Sequence, residues 1–141
     1  MLFRSSVDEF IAAHINEKFY VGTDSHVYGK TVKFCTALIA RKMGKGACAI
    51  VSSQKTPSGE SLRQRLLAEA TRSLAFAYYL DLKVPSDSVI GIHLDVNENI
   101  RYESSAWKEQ LVGMIMGQGP RYEASWKPNS WASMSVADYR T

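Results

Sequence analysis

Residues Ser61–Leu82 carry apolar side chains at helical spacing and lie between segments patterned like β-strands. At ~100° per residue, Leu62, Leu66, Glu69, Ser73, Phe76 and Leu80 fall in one narrow stripe. Leu67, Ala70, Leu74 and Ala77 widen it, and Gln64, Arg65, Thr71 and Arg72 take the opposite side. A helix joining two strands of one sheet is a crossover, and crossovers give parallel strands with a right-handed connection. The chain is thereby directed toward an α/β sheet containing a parallel pair.

The segments around this helix fill in the order. Residues 6–16 predict a short leading helix: Ser6 can cap it, Asp8 and Glu9 suit its first turn, and Val7, Phe10, Ile11 and His14 share a face. Residues 18–24 predict a first strand, Ser25–Lys30 a turn, Thr31–Arg41 a second strand and 47–54 a third, with Lys42–Gly46 as a tight link. Three strands with short links form an antiparallel meander. Beyond the long helix, residues 88–96 predict a fourth strand, Ser105–Gly117 a helix, Arg121–Trp126 a fifth strand, and Pro128 to Asp138 a last short helix. The expected fold is α/β: one domain over 1–141, with a five-stranded mixed sheet, strands one to three antiparallel, and helices flanking it.

Composition bounds the function classes. The 141 residues are 45% hydrophobic and 22% charged, enough apolar matter for a proper core. No apolar run approaches the ~20 residues of a membrane span, and the N-terminus lacks a signal-peptide core, so a soluble, cytoplasmic protein is expected. Cys35 and Cys48 fall in separate strand-like segments and read as reduced core residues. With no CxxC and three scattered histidines there is no zinc motif. The formal charge of +3 permits a phosphate-rich partner without demanding one.

The chemistry sits in four acids placed where the chain otherwise reads as buried. Asp24 ends the run Phe19-Tyr20-Val21-Gly22-Thr23-Asp24, and Asp95 ends Val89-Ile90-Gly91-Ile92-His93-Leu94-Asp95. Glu69 lies inside the apolar stripe, and Asp138 lies in the last helix. A carboxylate driven into a core is costly unless paired, hydrogen-bonded or bound to a cation. If the first and fourth strands are parallel neighbours, Asp24 and Asp95 emerge at one sheet edge, where open α/β sheets bind ligands. Converging carboxylates then point to a divalent cation with hard oxygen ligands, Mg²⁺ or Mn²⁺.

These residues resemble a known family. Val21-Gly22-Thr23-Asp24-Ser25-His26, Ser61–Glu69, His93-Leu94-Asp95-Val96-Asn97 and Pro128–Ser133 with Val136-Ala137-Asp138 are similar, in order and spacing, to the YkuK-like family of ribonuclease H-like predicted nucleases. The resemblance implies the same mixed sheet, and a two-ion site held by Asp24, Glu69, Asp95 and Asp138. Asp24 would bridge the ions, with Glu69 and Asp95 on one and Asp138 on the other. It implies hydrolysis of phosphodiester bonds in RNA, DNA or a hybrid.

Five residues are candidate substrate contacts. Ser25 and His26 follow Asp24, and His26 can meet a phosphate or carry a proton. Arg63 and Arg65 open the long helix, where cations and free backbone amides attract phosphate. Asn97 follows Asp95. Trp107, Trp126 and Trp131 can stack on bases or pack a core or a subunit contact, which leaves homo-oligomerisation open. A different class stays open as well: a nucleic-acid- or partner-binding module on this fold that lacks catalysis.

Overall fold

The structure, a computed structural model, describes residues 4–42, 45–59, 61–97 and 103–127. Five strands form one sheet: β1 (Lys18–Tyr28), β2 (Thr31–Lys42), β3 (Lys45–Pro57), β4 (Ile90–Asn97) and β5 (Tyr122–Lys127), in the spatial order β3-β2-β1-β4-β5. β1, β2 and β3 pair antiparallel, while β4 pairs parallel with β1 and with β5. This is the mixed sheet expected above. Among the described residues three α-helices accompany it: α1 (Arg4–Ala13), α2 (Leu62–Asp81) and α3 (Lys108–Met116). Among the described residues no helix is long and apolar enough to cross a membrane.

Several boundaries differ from expectation. β1 does not stop at Asp24 but runs to Tyr28, because β2 supplies partners throughout, from Ser25↔Phe34 to Tyr28↔Thr31. The turn shrinks to Gly29 and Lys30, with Gly29 at φ 56°, a left-handed value that glycine adopts without β-carbon strain. The helix expected over 105–117 is divided into a 3₁₀ turn (Glu103–Trp107) and α3. At the junction Trp107 has φ −105° and ψ −4°, off α-helical values, while its indole packs against the core. Cys35 is buried as expected, whereas Cys48 is exposed, since β3 is an edge strand. The last helix expected after Pro128 lies outside the described residues.

α2 organises the core. A capping box starts it: Gln64 N–H donates to Ser61 Oγ at 3.2 Å, and Ser61 N–H to Gln64 Oε1 at 2.8 Å. Its buried face is Leu66, Glu69, Ala70, Ser73, Leu74, Ala77 and Leu80, packed with Val21, Ile90, Ile92 and Leu94 of the central strands. Each large apolar side chain removed from water there contributes ~1.5–3 kcal/mol. Arg121, just before β5, fixes the end of the crossover. Its Nε donates to Ser88 O at 2.8 Å, its Nη2 to Pro85 O at 2.6 Å and Val84 O at 3.2 Å, and its Nη1 pairs with Asp81.

Candidate metal centre

The register places the acids. β1 and β4 pair from Phe19↔Ile90 to Gly22↔His93. Asp24 and Asp95 each stand two residues beyond that last pair, one on either side of where the two strands part. Glu69 comes from the buried face of α2, the helix that lies across β1 and β4. One carboxylate oxygen from each of the three lies within 4.8 Å of the others. Asp24 is 6% and Glu69 5% exposed, and Asp95 is half-buried. Glu69 therefore does not reach out to water from the edge of its helix. Asp138 lies outside the described residues.

Three carboxylates so placed share a problem. When ionised each is an acceptor only, so they cannot hydrogen-bond to one another. Each ionised pair repels by ~3 kcal/mol at ~5 Å and an effective dielectric of ~20. A divalent cation reverses the sign. Oxygens bound at ~2.0–2.6 Å stand up to ~4–5 Å apart across an ion, so the 4.8 Å spread falls within the reach of one hard cation.

The surroundings hold two of the acids in place. Ser25 Oγ donates to Glu69 Oε2 at 2.5 Å, and Arg65 Nε donates to Ser25 Oγ at 3.3 Å. Ser25 is buried, so its hydroxyl serves Glu69 instead of opening onto solvent. His26 Nε2 lies 3.4 Å from Asp24 Oδ2, and its ring stacks on Tyr28 at 6.3 Å. The His26 side chain is 42% exposed, which leaves it accessible beside the cluster. Arg63 leans away from the acids: Nη2 donates to Gln110 Oε1 at 3.4 Å and the guanidinium lies 5.7 Å from the Trp107 ring centre. Asn97 closes β4, but its side chain is outside the described ones. Trp107 and Trp126 pack against the core, Trp126 also under Lys108 at 4.4 Å, and Trp131 lies outside the described residues.

Two features of the site had no counterpart in the sequence reading. Thr23 Oγ1 bonds Ser73 Oγ at 2.8 Å and Thr36 Oγ1 at 2.9 Å, a buried hydroxyl chain one helical turn from Glu69. Ser73 on the apolar stripe was the visible signal, but its partners required the register. His93 is 3% exposed and packs its ring 4.9 Å from that of Tyr20. That contact requires Gly91, where a β-carbon would come within 2.4 Å of the Tyr20 ring. Burial, with Lys18 and Arg41 adding positive charge nearby, pushes the His93 pKa down to about 4.

Comparison with known proteins agrees with this architecture. The profile of a family described as ribonuclease H-like matches residues 3–141. The uncharacterized protein YkuK of Bacillus subtilis (strain 168) is 29% identical over 133 residues, covering 84% of this chain and 75% of that protein.

Proposed function

The chain belongs to the ribonuclease H-like family, and on that premise we propose that it is a metal-dependent nuclease hydrolysing phosphodiester bonds of nucleic acid. The observation carrying this reading is the group formed by buried Asp24 and Glu69 with half-buried Asp95, gathered from three separate elements. Those three, with Asp138 as a fourth ligand, would hold Mg²⁺ or Mn²⁺. Bound there, the ions would supply a water acidified toward hydroxide and stabilise the departing 3′ oxygen.

The chain's own groups have distinct tasks under this reading. Asp24, on the central strand, would be one of the metal ligands. Ser25 holds the Glu69 carboxylate in one orientation, and Arg65 holds Ser25. His26, half-exposed beside Asp24, would exchange a proton with solvent or meet a phosphate oxygen. Arg63 and Arg65 open α2 and offer positive charge to the phosphate backbone. The compartment proposed is the cytoplasm.

The test is cleavage of single-stranded RNA, single-stranded DNA and an RNA–DNA hybrid, with Mn²⁺ or with chelator, by the wild type and by Asp24→Asn. Cleavage that needs the metal and disappears in a folded Asp24→Asn is expected. Undiminished cleavage by Asp24→Asn rejects the assignment. Salt-sensitive binding without cleavage by the wild type transfers the site to a non-catalytic binding module.

A further inference from the structure

We propose that a second site, independent of the carboxylates, binds a small organic anion with a flat apolar body. It is the cavity of about 400 Å³ between α1, α2 and the strands β2 and β3. That volume is within the ~300–1,000 Å³ of small-molecule sites. Val7, Val51, Phe76 and Tyr79 form its apolar walls, and Thr36 and Ser52 contribute hydroxyl-bearing side chains.

Arg72 decides the charge of the occupant. It leaves α2 one turn after Glu69 and lines this cavity. Its guanidinium lies 4.2 Å from the Phe34 ring centre, and Nη1 donates to Gln54 Oε1. Both partners are neutral, and among the described residues no acid pairs with this charge. Its Nε–H is buried with no acceptor among the described residues. A buried donor left unmet costs ~1–3 kcal/mol, more when charged. A carboxylate, sulfonate or phosphate group seated in the cavity would answer the charge of the Arg72 guanidinium that lines it. The nearby acid, Asp8, is engaged by the Tyr79 hydroxyl and lies 3.9 Å from Lys83 Nζ. An anion would therefore keep its charged end on Arg72 and its apolar body along Phe76 and Val7.

Two fluorescent probes with one aromatic body test this: anilinonaphthalene sulfonate, which is anionic, and phenylnaphthylamine, which is neutral. Each is titrated into the folded full chain without divalent metal. Saturable one-to-one binding of the anionic probe is expected, with the neutral probe weaker by about tenfold or more. Arg72→Met should remove that preference and leave the neutral probe's affinity within about threefold, which also reports that the cavity survives. Ala75→Trp, at an exposed α2 position that lines the cavity, should block both probes. No saturable binding by the wild type overturns the proposal. So does equal affinity for the two probes, or anionic-probe binding that both variants leave unchanged. None of these readings depends on nuclease activity or on the metal centre.

Discussion

Two groups of buried polar side chains meet α2 one turn apart, and they solve the problem of burial in opposite ways. Around Ser73 the groups are neutral hydroxyls. Thr23 bonds both Ser73 and Thr36, and each oxygen can donate as well as accept. Around Glu69 the groups are acids from β1, α2 and β4 within 4.8 Å of one another. Ser25 answers one Glu69 oxygen, but no hydroxyl can cancel the mutual repulsion of three carboxylates. The first cluster is built from groups that can bond one another; the second has the geometry that could hold a cation. One turn of helix thus separates a structural polar core from a chemical site.

The sharpest way to break the comparison is Asp24→Asn. Metal-dependent cleavage should fall ~100-fold or more, since even outer-shell losses at metal sites reach ~10–100-fold. Without metal the same variant should be at least as stable as the wild type in urea unfolding, because one repelling charge is gone. Clear destabilisation of the metal-free variant would mean that the acids satisfy one another after all.

His93 extends the contrast to a buried base that stays neutral. Its folded pKa of about 4 lies below the ordinary 6.5. Between those values the unfolded chain binds more protons, so stability falls as pH drops from 6.5 toward 4. The loss is on the order of 3 kcal/mol when fully developed. Urea midpoints for His93→Gln should show a smaller loss over that window than wild type, and an identical pH dependence contradicts the assignment.

Thr23→Val sharpens the hydroxyl side. It should cost ~1–3 kcal/mol in unfolding free energy by leaving Ser73 and Thr36 short of a partner, while calorimetric Mn²⁺ affinity stays unchanged. Ser25→Ala should do the reverse at the smallest scale. It should weaken Mn²⁺ binding by ~10-fold through a loosened Glu69, with little change in unfolding. If the two variants exchange phenotypes, the clusters are not distinct.

Much of this was legible in the residues. The apolar stripe of Ser61–Leu82 gave the crossover, the crossover gave the parallel β1–β4 pair, and Glu69 on the stripe faces inward as its neighbours do. What could not be read was pairing across distance. β1 continues to Tyr28 only because β2 offers partners, so Ser25 lies in a buried strand instead of a turn, with its hydroxyl bonded to Glu69. Arg63 looked equivalent to Arg65 on the first turn of α2, yet Gln110 and Trp107 draw it toward α3. Cys48 carried no mark that its strand lies at the sheet's edge. Local pattern fixes the face a residue presents within its element, and tertiary neighbours decide what that face meets.

The most direct measurement is anomalous X-ray density from a crystal soaked in Mn²⁺. A peak bounded by Asp24, Glu69 and Asp95, bonded to an oxygen of each, is the predicted result. An empty pocket with the three acids still drawn together, or a peak that persists unchanged in Asp24→Asn, contradicts the account.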